Sequence, residues 1–213
     1  MPEVTVIDYG VGNLLSVQRG LEHCGAKVIL TANPEKILAA KRVVLPGVGA
    51  FTNAMQALEN LGLVAVIREV AQHKTPLLGI CLGMQLLLEE SEEFGKTAGL
   101  GLIPGRVIAV PDQTLLGEKQ KIPHIGWSAL QPSNVALGWR NTLLEDNRTG
   151  EAAYFVHSFM AVTANTDHRI ADCLYGGHEI AAMIGRDQIA GCQFHPEKSG
   201  AVGLKILRRF LLQ

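Results

Sequence analysis

Neither sign of charge is in excess in this chain: 19 Lys and Arg stand against 20 Asp and Glu, a net charge of −1. That balance supplies no basic field for nucleic acid or for an anionic membrane. No apolar run approaches the roughly 20 residues of a membrane-crossing helix. The N-terminus carries no basic segment ahead of its short apolar run Val4–Ile7, so no secretory leader is expected. Cysteine is sparse. Cys24, Cys81, Cys173 and Cys192 show no Cys-x-x-Cys or other metal-like spacing, which points to reduced thiols in a cytoplasmic protein and to no metal. Charged residues make up 18% and hydrophobic residues 47%, so 213 residues are expected to bury a substantial core as one domain over 1–213.

Short β-branched runs alternate with helical patterns in the first half. Val4–Asp8, Lys27–Leu30, Arg42–Leu45 and Pro76–Ile80 read as strands. Asn13–Cys24 reads as a helix capped by Asn13 and closed by Gly25, followed by a short helix at Pro34–Ala39. Helical material is expected from Ala50 to about His73 and from Leu82 to about Glu90. From about Leu100 shorter β-like runs take over: Arg106–Val110, Ala153–Val156, Ile180–Ile184 and Ile189–Gln193, before a last helix at Gly200–Leu212. The expected fold is α/β: a central, mostly parallel sheet flanked by helices, with additional short antiparallel β segments in the second half.

One thiol stands apart. In Gly79-Ile80-Cys81-Leu82-Gly83-Met84-Gln85 an apolar strand runs through Gly-x-Cys-x-Gly into a helix. Glycines flanking a nucleophile on a strained strand-to-helix turn are the signature of an elbow, which lifts a side chain over the carboxyl ends of a sheet. A helix N-terminus beside it favours the thiolate. Covalent acyl transfer is the implied chemistry. A buried structural thiol is the alternative reading for Cys81, and the preferred one for the other three cysteines.

Among seven histidines, His195 is the best-placed base, in Gln193-Phe194-His195-Pro196-Glu197. Pro196 biases it toward extended geometry, in which Glu197 points to the same side and can fix the imidazole tautomer. Oxyanion donors are expected from the Leu82 N–H and from the loop Pro46-Gly47-Val48-Gly49. His157-Ser158, after Tyr154-Phe155-Val156, is a second polar pair, without a glycine elbow. Gly10-Val11-Gly12 lacks the third glycine of a dinucleotide loop, Leu15 occupying its place.

The Pro46–Phe51 run, the Cys81 elbow and Gln193–Glu197 together resemble the class I glutamine amidotransferases. Within that class, Asp8–Leu14, Pro123-His124-Ile125-Gly126-Trp127, Tyr154–Ser158 and His195–Gly200 resemble the glutaminase subunits of imidazole glycerol phosphate synthase, over essentially the whole chain. The resemblance implies Cys81 as nucleophile, His195 as general acid/base and Glu197 as its orienting acid, acting on glutamine without a cofactor. It implies oxyanion contacts at Val48, Gly49 and Leu82, and substrate contacts at Gln85, Glu93, His157, Ser158 and Phe159. It also implies a heterodimer with a (β/α)₈-barrel cyclase subunit supplied in trans, faced by Asn13, Tyr154 and Lys198. Phe159 stands where the family commonly has Tyr, and Ser128 where it often has Asn. The competing readings are the glutaminase of anthranilate or guanine nucleotide synthesis, and a non-catalytic thiol-sensing interaction protein.

Overall fold

The computed structural model describes residues 1–134 and 137–213. Its first half is β1 (Glu3–Ile7), α1 (Leu14–His23), β2 (Lys27–Thr31), α2 (Pro34–Leu38), β3 (Val43–Leu45), α3 (Phe51–Asn60), α4 (Leu63–Gln72), β4 (Leu77–Ile80) and α5 (Leu82–Leu86). The second half begins with β5 (Glu90–Ser91), β6 (Thr97–Ala98), β7 (Gly105–Ala109), β8 (His124–Ala129) and β9 (Gln131–Pro132). It continues with β10 (Ala152–His157), β11 (Phe159–Thr163), β12 (Arg169–Tyr175), β13 (His178–Arg186), β14 (Ile189–Cys192) and α6 (Gly200–Leu211).

The main sheet runs β2-β1-β3-β4-β14-β13-β12-β9. Pairing is parallel from β2 through β14 and antiparallel from β13 outward, the mixed, mostly parallel sheet expected. Strands covered on both faces read as continuous apolar runs, and β3 and β4 are buried at every position. On one side Val4 and Val6 pack with Val17 and Leu21 of α1 and with Ile206 and Phe210 of α6. On the other, Ile7, Val43 and Leu45 pack with Phe51 and Leu58 of α3 and Ile67 of α4.

The helical material expected from Ala50 to about His73 is present as two helices, broken where Leu61 ends α3 and Gly62 turns left-handed at φ +67. The helix starting at Leu82 stops at Leu86 instead of running to Glu90; Leu87 and Leu88 tighten into a turn, and the chain enters β5. Strands β5, β6, β8, β9, β11 and β12 are additions to the pattern expected from sequence. Their mixed polar and apolar residues carry a weak periodic signal, and pairing partners supply what periodicity does not. A two-stranded ribbon, β8 with β10, projects beside the carboxyl end of β4. Among the described residues no helix is long and apolar enough to cross a membrane.

Candidate active site

Cys81 fills the single position between β4 and α5, with φ 56° and ψ −113°. An L-residue there is strained by about 1–3 kcal/mol, so the surroundings must hold it. Its N–H donates to the Cys192 carbonyl at 2.7 Å, and its own carbonyl accepts from Met84 and Gln85. The turn closes only because a glycine precedes it: a Cβ at Gly79 would lie 2.7 Å from the Gly83 carbonyl oxygen. Leu82 opens α5, and its N–H is among those that a helix start leaves without an intrahelical acceptor.

His195 follows β14, its N–H donating to the Tyr154 carbonyl at 2.9 Å. Its Nδ1–H donates to Glu197 Oε1 at 2.8 Å, with 4% and 1% of the two side chains exposed. The contact is the expected one, but the backbone differs. Pro196–Lys198 form a 3₁₀ turn, so it is the turn that swings Glu197 back onto the ring. Ser199 clamps this turn, its hydroxyl donating to the His195 carbonyl and accepting from the Tyr154 N–H. Burial opposes charge on His195, but its interactions with Cys81 and Glu197 outweigh that cost and raise it to about 9. At neutral pH the ring is therefore an imidazolium beside the sulfur, suited to donating a proton to a leaving group.

The loop after β3 is held from beneath: Tyr9 donates its hydroxyl proton to the Pro46 carbonyl at 2.7 Å. Burial, then the negative charge of Cys81, push that phenol up, so it stays a donor. Val48 and Gly49 are exposed at the loop tip, and Gly49 adopts φ +90, a conformation glycine reaches without penalty.

One cavity of about 630 Å³ gathers these parts. Cys81, His195, Val48, Gly49, Leu82, Gln85, Glu93, His157, Ser158, Phe159, Asn13 and Lys198 all line it. Of the residues singled out from sequence, Glu197 stands behind His195, and half-buried Tyr154 stands aside, packed edge-on to Trp127 with ring centroids 6.0 Å apart. Glu93 has a second duty, since its Oε2 accepts the Phe51 N–H at 2.7 Å and so caps α3. The structure also brings in Pro123, from the Pro123–Trp127 segment, and Phe94, which no sequence pattern flags. Gln193 is fully buried, and its Nε2 lies 3.8 Å from the Cys81 sulfur; its place two residues before His195 is the one signal the sequence offers.

The rival pair His157-Ser158 fails on geometry. Both ring nitrogens of His157 are engaged, Nδ1 with the Phe159 carbonyl at 2.8 Å and Nε2 with His124 Nδ1 at 3.0 Å. Burial pushes His157 down to about 4, so its ring is neutral and committed. Among the described residues no group of three or more His, Cys, Asp or Glu could hold a metal ion.

A strained cysteine at a strand-to-helix turn, with a buried His–Glu pair on the turn that follows the neighbouring strand β14, is an arrangement able to carry out thiol-based acyl transfer. The family model for glutamine amidotransferase class-I matches residues 5–213, and the chain belongs to that family. Among its relatives, imidazole glycerol phosphate synthase subunit HisH 1 of Legionella pneumophila (strain Lens) is 49% identical over 99% of both chains. The HisH subunit of Geobacillus thermodenitrificans (strain NG80-2) is 46% identical, over 99% of this chain and 96% of that one. Among solved structures, a glutamine amidotransferase crystal structure superposes with a TM-score of 0.70 at 16% identity, covering 98% of this chain and 97% of that one. A putative GMP synthase component from Thermoplasma acidophilum does so with a TM-score of 0.68 at 18% identity, covering 99% and 92%.

Proposed function

We propose that this chain is the glutaminase subunit of an imidazole glycerol phosphate synthase, acting in histidine biosynthesis as a single catalytic unit over 1–213. The observation that carries the chemistry is the meeting of the strained Cys81 with the buried His195–Glu197 pair in one cavity. The Cys81 thiolate attacks the side-chain amide carbon of glutamine. The tetrahedral oxyanion is received by the Leu82 N–H and by the Val48–Gly49 peptide; removing one such donor typically costs about 10²–10³ in turnover. His195 gives its proton to the departing ammonia, leaving a glutamyl thioester. Water, deprotonated by His195, then attacks that thioester and releases glutamate and Cys81. Glu93 pairs the substrate ammonium, and Gln85, Ser158 and Phe159 seat the rest of the amino-acid end.

The relatives' names as synthase subunits support a partner that consumes the ammonia. The mouth of the cavity fits a docking face, with Leu15, Val48, Ile125 and Trp127 exposed near Asn13 and Lys198. A cyclase of (β/α)₈-barrel form covers it in a cytoplasmic heterodimer and receives ammonia out of contact with water. Relatives at 49% and 46% identity that carry the synthase-subunit name favour this reading over guanine nucleotide synthesis. The test is glutamate release by the purified chain with and without a cyclase subunit plus its nucleotide substrate. Stimulation by the partner is expected; equal rates with and without it would remove the synthase reading.

A further inference from the structure

A continuous hydrogen-bonded chain leads from Ser128 on the ribbon to the sulfur of Cys81, and its polarity follows from one atom. The Phe159 carbonyl oxygen can only accept, and it receives two donors: His157 Nδ1 at 2.8 Å and Gln85 Nε2 at 3.0 Å. Both arms of the chain are fixed from there.

Along the first arm, a neutral His157 with its proton on Nδ1 presents a bare Nε2. His124 must therefore donate from Nδ1, at 3.0 Å. His124 Nε2 is then bare and takes the Ser128 hydroxyl proton at 2.9 Å. Residues four apart in a straight strand sit about 13 Å from each other, so the 2.9 Å contact of His124 with Ser128 means that β8 is not straight between them, a stretch that includes Gly126 at φ +142. Tyr175 and Phe155 stack on the His124 ring, nearly parallel to it at centroid distances of 4.1 and 5.0 Å, and stop it from turning over.

Along the second arm, Gln85 presents its amide nitrogen to the Phe159 carbonyl and, with its other proton, to Gln193 at 2.9 Å. The atom of Gln193 facing Gln85 must accept, so it is Oε1. Nε2 is thereby turned to the Cys81 sulfur, 3.8 Å away. The opposite flip would set two donors against each other and aim an oxygen lone pair at the sulfur. On its other side, Sγ lies 3.9 Å from the Val156 carbonyl, an acceptor that helps a thiol but not a thiolate.

We propose that Gln193 is a further catalytic residue, donating Nε2–H to the Cys81 thiolate, with Gln85, His157, His124 and Ser128 as positioning residues that lock this amide orientation through the Phe159 carbonyl. The proposal rests on the Cys81 nucleophile of the glutaminase reading, but it concerns the resting thiolate and needs no substrate to test. A buried donor to a charged group is worth enough to change the thiolate population about tenfold.

The experiment measures iodoacetamide alkylation of Cys81 in the full chain, followed by peptide mass spectrometry so that the other three cysteines do not contribute. Rates are taken from pH 6 to pH 10 for wild type, Gln193→Met and, as a second variant of similar shape, Gln193→Glu. Folding of each is checked by thermal denaturation. Both are expected to react about tenfold more slowly than wild type at pH 7, with the Gln193→Met deficit closing towards pH 10, where thiols ionise unaided. Gln85→Met, which frees the amide to turn over, is expected to fall between. Wild-type reactivity at pH 7 in either folded Gln193 variant overturns the proposal. So does a Gln193→Met deficit that stays constant to pH 10, because that reports blocked access and not a lost donor. Failure of the glutaminase reading would show separately, as wild type that does not hydrolyse glutamine with its partner present.

Discussion

Gly83 lies so close to Leu45 that a Cβ on it would sit 1.9 Å from the Leu45 carbonyl oxygen and 2.9 Å from the carbonyl carbon. Gly83 therefore serves by its lack of volume, letting the first turn of α5 press against the end of β3. This contact fixes the distance between the Cys81 turn and the Pro46–Gly49 loop, the two halves of the oxyanion site.

Gly83→Ala is accordingly expected to be among the most damaging single-carbon additions in the chain. Backbone atoms on both sides must move, at a cost of about 3 kcal/mol. A fall in the urea midpoint should accompany loss of glutaminase activity. An active variant with an unchanged midpoint would show that the elbow and the loop are not in contact as described.

Glu93 joins a structural and a substrate-facing role that one substitution separates. Gln in its place keeps an oxygen able to accept the Phe51 N–H, which Glu93 Oε2 now receives at 2.7 Å, but it removes the charge. Glu93→Gln should therefore keep stability within about 1 kcal/mol. The KM for glutamine should rise about tenfold or more while kcat changes little, as for an interaction made equally in ground and transition states. An unchanged KM would take Glu93 out of substrate binding and leave it as a helix cap.

Three histidines set the pH dependence of stability. Burial holds His124 and His157 down at about 4, whereas interactions with Cys81 and Glu197, overcoming burial, raise His195 to about 9. An unfolded histidine titrates near about 6.5. Between about 4 and 6.5 the unfolded chain binds the extra protons of His124 and His157, so stability falls as pH drops, with a slope approaching about 2.7 kcal/mol per pH unit for two protons. His195 acts in the opposite sense: its contribution is full below about 6.5 and is lost as pH rises through about 9. Urea midpoints should thus peak between those limits and fall on both sides. His124→Phe, which keeps the stacking on Tyr175 and Phe155, should flatten the acid limb by about half. A midpoint constant from pH 4.5 to 6.5 in wild type would contradict the neutral, buried histidine pair.

The chemistry is more legible in the sequence than the frame around it. The Cys81 elbow can be read because strand, glycines and helix are contiguous, and the His195–Glu197 pair because its members are two residues apart. The α/β class follows from the alternation in the first half, where β3 and β4 are buried throughout and so read as unbroken apolar runs. What stays hidden depends on distant pairing. Strand β8 makes sense only against β10, where His124 faces His157 across 33 positions of sequence. The contact of Ser128 with His124, four positions apart in β8, has no periodic signature at all. Gln193 stands inside the His195 motif, yet its orientation depends on Gln85, 108 positions away.

The central claim is that the Cys81 sulfur, activated by His195 and Glu197, opens the amide of glutamine for a partner that uses the ammonia. Its most direct test is glutamate release from the complex with the cyclase, wild type against Cys81→Ser, with partner binding confirmed for both. Partner-stimulated release by wild type and its loss by at least about 10³-fold in Cys81→Ser is the expected result. Release that survives Cys81→Ser in an intact complex would contradict it.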